Sequence, residues 1–127
     1  MAVPNTVMRP APVRAEVLSK AVVRAAEHLE LTNKELGEIV GLSQATVSRL
    51  RNGGYKLEEG SKPFECAKIF ARLFRGLDAI TGSDDKSSRI WLRNENTTLQ
   101  GKPIEMIRTI RGLVDVVNYV DSRRAVI

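Results

Sequence analysis

The sequence is poor in the residues that carry most protein chemistry. Its 127 residues include one cysteine, Cys66, and one histidine, His28. A lone thiol closes no internal disulfide, and the pair supplies too few ligands for a zinc-type metal site. Any Ser-His or Cys-His catalytic arrangement has to use His28. No run of carboxylates resembles the acidic centre of a metal-dependent nuclease. Gly53-Gly54 is not followed by the Lys-Ser or Lys-Thr of a phosphate-cradling loop. The expectation is therefore no catalytic residue, no metal and no cofactor. No stretch approaches the ~18–20 apolar residues of a membrane span. The N-terminus lacks the apolar segment of a secretory leader, so a cytoplasmic protein is expected. What is present, 43% hydrophobic and 28% charged residues, is the balance of a folded domain. The length fits one domain, or two small ones sharing a core.

Three prolines, at positions 4, 10 and 12, fall within residues 1–13 and argue against a helix there. The stretch reads as a frayed or extended arm. The alternative is a basic arm in which Arg9 and Arg14 touch a phosphate backbone or a minor groove. A helical pattern opens near Ala15. Leu18, Val22, Ala25, Ala26 and Leu29 recur at three- and four-residue intervals, Val17 and Ala21 widen the stripe, and His28 sits near its end.

Residues 31–54, LTNKELGEIVGLSQATVSRLRNGG, hold the most specific pattern. Thr32 or Asn33 can cap a short helix with Glu35 and Glu38 early in it and Leu36, Ile39 and Val40 on its apolar face. Gly41 stops that helix, and Ser43 caps a second one from about Gln44 to Arg51. Asn52-Gly53-Gly54 ends it. This is the grammar of a helix-turn-helix. Gly37 is small where the helices cross, and Gly41 permits the turn. Leu36, Val40, Leu42, Val47 and Leu50 lock the pair together.

On DNA, the N-terminal part of the second helix meets base edges in the major groove. Gln44 pairs with adenine and Arg49 with guanine through bidentate hydrogen bonds, and the Thr46 methyl, or Ala45, meets a thymine methyl. Ser43 and Ser48 suit phosphates, and Arg51 and Lys56 the backbone. A helical hairpin without a DNA role is the alternative. Residues 1–60 carry eight Lys/Arg against seven Asp/Glu, and residues 61–127 carry twelve against eight. The excess in the net charge of +5 thus lies outside the motif. One copy is expected to bind DNA weakly, and a homodimer on two half-sites is the remedy.

After the loop at residues 54–61, Ser61 caps a helix with Pro63 in its first turn. Phe64, Ala67, Ile69, Phe70, Leu73, Phe74, Leu77 and Ile80 make its apolar band, with Cys66 a small hydrophobe within it. A turn at residues 81–85 leads to a short helix through Ile90, Trp91 and Leu92. Residues 94–102 read as a shaped loop packed on Trp91. Pro103 begins a helix with Ile104, Met106, Ile107 and Ile110 that Gly112 interrupts. Leu113, Val116, Val117 and Val120 form a last helix, and residues 122–127 a short tail. The fold expected is all-α, with seven or eight helices. An arm (1–13) precedes a helix-turn-helix domain (14–60), merged with a helical domain (61–127).

The trace Ile90-Trp91-Leu92, Asn94, Asn96, Leu99, Gly101, Pro103, Thr109, Gly112, Val116-Val117 resembles the C-terminal toxin-binding domain of the Xre/MbcA/ParS antitoxins. The helix-turn-helix precedes it, as in Xre-type members, and the resemblance spans nearly all of residues 15–124. It implies a non-enzymatic type II antitoxin that occludes the active site of a cognate toxin and represses its own operon. The commonest toxin of such members is a RES-domain protein that consumes NAD or transfers ADP-ribose. The resemblance implies a homodimer, a larger assembly with toxin, and operator DNA as second partner. The toxin-blocking role falls on the last helix and tail, at Asn118, Tyr119, Ser122, Arg123 and Arg124. A basic tail suits a cleft built for a phosphate-bearing dinucleotide, and a helix C-terminus also accounts for Arg123 and Arg124. Two rivals remain: a stand-alone repressor whose second half dimerises or senses a ligand, and an interaction protein with a vestigial helix-turn-helix. An enzyme stands third.

Overall fold

Seven helices follow one another through residues 11–126, the part of the chain that the computed structural model describes. The first ten residues of the expected arm, Arg9 among them, and Ile127 lie outside the described residues. The helices are α1 (Ala11–His28), α2 (Asn33–Val40), α3 (Gln44–Arg51), α4 (Lys62–Ile80), α5 (Asp85–Arg93), α6 (Pro103–Met106) and α7 (Ile110–Val126). The architecture is all-α. Among the described residues the one β feature is an isolated bridge between Asn96 and Gly101. No described helix is long and apolar enough to cross a membrane.

α1 begins at Ala11, ahead of the expected Ala15. Pro12 falls in its first turn, where a missing N–H breaks no hydrogen bond. Val17, which the periodicity assigns to the apolar stripe, is 61% exposed, and Ala21 is exposed too. The buried face is narrower: Ala15, Ser19, Val22, Ala25, Ala26 and Leu29. Val17 and Ala21 each stand two residues from Ser19, on the opposite side of the helix. The Ser19 hydroxyl donates to the Ala15 carbonyl at 2.7 Å and accepts the Leu57 N–H at 2.9 Å. A buried serine thus pins the loop after α3 against α1, and Leu57 fills the core beside it.

α4 is the central element. Phe64, Ala67, Phe70, Leu73 and Leu77 are buried along it, and it packs on α1 and α2 and along α7. α7 comes so close that a Cβ on Gly76 would meet Val120 Cγ1 at 2.7 Å. One continuous core joins the halves, running from Leu29, Leu36 and Val47 through Phe70 to Leu92, Ile107 and Leu113. Burial of this kind contributes roughly 25 cal/mol per Å² of apolar surface, and much of it is shared between the halves.

Three expectations for the second half are corrected. The helix that starts at Pro103 ends at Met106, well before Gly112. Thr109 Oγ1 accepts the Gly112 N–H at 3.0 Å, and α7 starts between them, at Ile110. Gly112 therefore lies in the first turn of α7. A Cβ there would overlap the Met106 carbonyl oxygen, so its role is close approach of α6 rather than interruption. Ile110, expected on the apolar face, is 60% exposed because it stands at that new start. The expected tail is helical as far as Val126, with Arg123 and Arg124 in the last turn, where positive charge complements the helix dipole.

Candidate functional sites

The α2–α3 pair is fixed by its caps and one glycine. Thr32 accepts the Glu35 N–H at 3.0 Å, and Glu35 Oε1 accepts the Thr32 N–H at 2.9 Å. This reciprocal box closes the N-terminus of α2. Gly41 ends α2 at φ +82°, a conformation that disfavours any residue with a side chain. Ser43 then caps α3 by accepting the Thr46 N–H at 3.1 Å. A Cβ on Gly37 would overlap the Leu42 carbonyl oxygen and touch Val47 Cγ2 at 3.5 Å, so the pair closes only over glycine. Val47 and Leu50 point into the core, which turns the opposite side of α3 outward.

Ser43, Gln44, Ala45, Ser48 and Arg49 are exposed on that side, and Thr46 is half-buried. Ser43, Thr46 and Arg49 form one chain: Ser43 Oγ donates to Thr46 Oγ1 at 2.9 Å, and Arg49 Nη2 donates to the same oxygen at 3.1 Å. The Arg49 guanidinium is therefore held along the helix surface rather than swinging free. Arg51 departs from the sequence reading. It donates to Asn33 Oδ1 at 2.7 Å and to the Leu31 carbonyl at 2.8 Å. These bonds tie α3 to the start of α2, so its fork is engaged within the fold. Lys56 is exposed on the following loop.

Beside the C-terminus of α3 lies an open concavity of about 420 Å³, lined in part by Lys20, Arg24 and Lys56 and also by the carboxylates Glu16 and Glu27. Lys20 and Arg24 are spaced one turn apart on α1. Neither stands out in the sequence. Only the folding of the loop at residues 52–61 onto α1 through Ser19 brings them next to Lys56.

In the second half, Trp91 of α5 stacks on Tyr119 of α7 with ring centroids 6.3 Å apart. Arg123 lies over the Tyr119 ring at 5.8 Å and donates to its hydroxyl at 3.1 Å. That hydrogen bond is the main reason the phenol is held below its usual pKa, with Asn96 and Thr98 adding to it. Asn118, Ser122 and Arg124 are exposed, and Arg124 lays its stem near Gly76. A groove of about 590 Å³ adjoins the stack, formed by Ile80, Ser87, Ile90, Trp91, Asn94 and Asn96. Ile90 is 50% exposed at its edge. The wall at Asn96 is rigid: its amide oxygen accepts the Leu99 N–H at 2.9 Å, and its N–H donates to the Gly101 carbonyl at 2.9 Å. The tail residues were visible in sequence. The groove was not, because it needs α4, α5 and the loop after α5 together.

The two halves are joined by polar side-chain contacts. His28 Nδ1 lies 2.6 Å from Asp85 Oδ2, and the ring stacks on Phe74. Arg93 reaches both carboxylate oxygens of Glu35 at 2.9 Å and the Glu30 carbonyl at 3.3 Å. Its guanidinium is the largest reason the Glu35 carboxyl is held down at about 2, and the Thr32 N–H adds to the effect against the opposing cost of burial. Arg89 donates to the His28 carbonyl at 3.1 Å, and Arg108 lies 3.3 Å from Glu38. Cys66 is buried, and desolvation pushes its thiol up, which removes nucleophilic character.

These features coincide with known families. The model of the antitoxin Xre-like helix-turn-helix domain matches residues 8–65. The model of the antitoxin Xre/MbcA/ParS C-terminal toxin-binding domain matches residues 76–125. No curated protein matches the chain. Among solved structures, the chain is similar to the crystal structure of the M. tuberculosis MbcT-MbcA toxin-antitoxin complex. The TM-score is 0.64 at 24% identity, covering 84% of this chain and 92% of that one, a likeness of fold. With one antitoxin domain following the other around a shared core, the chain belongs to the Xre/MbcA/ParS antitoxin family.

Proposed function

We propose that the chain is the antitoxin of a type II pair. In this reading its C-terminal half occludes the active site of a cognate RES-type toxin that consumes NAD or transfers ADP-ribose. Its helix-turn-helix, as a homodimer, represses the operon. The observation that carries the reading is the order of the two family matches, an antitoxin helix-turn-helix followed by an antitoxin toxin-binding domain. The protein acts by binding, in the cytoplasm, and catalyses nothing. Its domains are read as 14–60 and 61–127.

Gln44, Thr46 and Arg49 read base edges, and Ser43 and Ser48 meet phosphates. Lys56, with Lys20 and Arg24, tracks the backbone past the concavity. Arg51 is reassigned to holding α3 on α2. Asn118, Tyr119, Ser122, Arg123 and Arg124 face the toxin, and the groove beside Trp91 takes a toxin side chain. The exposed pair Ile110 and Val114, one turn apart on α7, supports a second-half surface for the homodimer.

The test is co-expression with the protein encoded beside this chain. The neighbour alone is expected to arrest growth and deplete NAD, and this chain to restore both. A harmless neighbour, or an arrest that this chain leaves unrelieved, refutes the reading.

A further inference from the structure

A helix-turn-helix that approaches phosphates needs positive charge, and the first sixty residues hold eight cations against seven anions. The structure shows where four of those seven anions go; Glu16, Glu27 and Glu58 make no ion pair among the described residues. Glu59 is held by Arg14 at 2.5 Å, within the same half. Glu30, Glu35 and Glu38 are held from the other half: by Arg89 at 3.6 Å, Arg93 at 2.9 Å and Arg108 at 3.3 Å. Arg89 and Arg93 are spaced one turn apart on α5 and arrive together. Arg108 comes from the turn between α6 and α7. All three anions lie on α2 or in the turn leading into it, and α2 is the helix packed against α3. Among the described residues, Lys20, Arg24, Arg49 and Lys56 make no such ion pair.

We infer that Arg89, Arg93 and Arg108 are electrostatic positioning residues for DNA. They cancel the charge of Glu30, Glu35 and Glu38, leaving the α2–α3 unit a positive field that its own sequence lacks. The inference rests on the DNA-binding reading above. The distances make it physical. Packed helices lie about 8–10 Å apart, close to the screening length of about 8 Å at physiological salt. An uncancelled carboxylate on α2 is therefore still felt by phosphates lying along α3. Three arginines of the toxin-binding half thus serve the DNA-binding half.

The pair Arg108–Glu38 gives the cleanest test, because both side chains are 38% exposed and neither caps a helix. The full-length protein and three variants are titrated onto its promoter duplex by fluorescence anisotropy at several salt concentrations. Arg108→Gln frees a negative charge and is expected to weaken binding about two- to threefold. Glu38→Gln frees a positive charge and is expected to strengthen binding by a similar factor. The double variant is expected to return close to wild type, and both single-variant differences are expected to shrink as salt rises and screens the field. Opposite signs are the signature, because a merely structural ion pair weakens binding whichever partner is removed. Weakening by both single variants, or no change in either, overturns the inference. A slope lowered by about one in Arg108→Gln, left uncorrected in the double variant, shows that Arg108 itself touches a phosphate and also overturns it. A wild-type protein with no salt-dependent affinity for the promoter refutes the DNA-binding reading itself, and the inference with it.

Discussion

Arg93→Ala removes the strongest polar link between the two halves. Glu35 loses both hydrogen bonds of 2.9 Å, and the Glu30 carbonyl loses a third at 3.3 Å. Glu35 is only 14% exposed at its side chain, so the pair is shielded better than an ordinary surface bridge. Its carboxyl is depressed from 4.5 to about 2. A difference of that size corresponds to roughly 3 kcal/mol of preference for the ionised form in the folded protein. The Thr32 N–H supplies part of it, and Arg93 is 39% exposed. The variant is therefore expected to lose about 2 kcal/mol at neutral pH. Because the folded value is depressed, the contribution is complete above the unfolded value of 4.5 and fades as pH falls towards about 2. Urea unfolding of wild type and variant at a series of pH values reads this directly. The gap between them is expected to be widest above about pH 5 and nearly closed near pH 2. A gap that is constant with pH, or one below about 0.5 kcal/mol at neutral pH, refutes the reasoning and makes the bridge an ordinary screened surface pair.

Gly112→Ala drives a methyl into the Met106 carbonyl and is expected to cost about 3 kcal/mol. That is a fall in melting temperature on the order of 10 °C by circular dichroism, and an unchanged melting curve would refute the close approach. Arg49→Ala is expected to abolish preference for the operator over a scrambled duplex while leaving the melting temperature within about 2 °C, since the residue is exposed. Sequence preference that survives unchanged displaces the recognition residues from α3. Arg123→Ala removes the main cause of the depressed Tyr119 phenol. Ultraviolet titration is expected to show that phenol ionising at higher pH than in wild type, and binding to the toxin is expected to weaken about tenfold. An unmoved titration and undiminished toxin binding would take Arg123 out of the site.

Local chemistry was the legible part of the fold. Thr32, Ser43 and Ser61 are caps because a hydroxyl before an apolar-periodic run has few other uses, and all three accept the expected N–H. Gly37 and Gly41 were readable because a helix-turn-helix demands a small residue and a left-handed turn at fixed offsets. What escaped was set by tertiary contact. Gly112 interrupts a sequence pattern but not a helix, since its reason is the Met106 carbonyl across the turn. Val17 faces out because it stands two residues from both Ala15 and Ser19, which puts it on the side of the helix away from the buried face. Arg51 was read as a backbone-phosphate contact, yet in the fold it is bonded to Asn33 at the start of α2 and to the Leu31 carbonyl just before it. The outward face of α3 was readable from the inward pair Val47 and Leu50. The groove beside Trp91 was not, because three separate segments build it.

The central claim is that this chain holds a toxin through its C-terminal half. It is tested most directly by a native pull-down of the full-length protein from its own cells, washed at high salt and read by mass spectrometry. High salt strips contacts mediated by DNA and leaves a largely apolar protein interface in place. The account predicts one stoichiometric partner that arrests growth when expressed alone and is released from this chain by changes at Tyr119 and Arg123. A homodimer free of any partner would contradict it, and would make the second half a dimerisation or sensing domain of a stand-alone repressor.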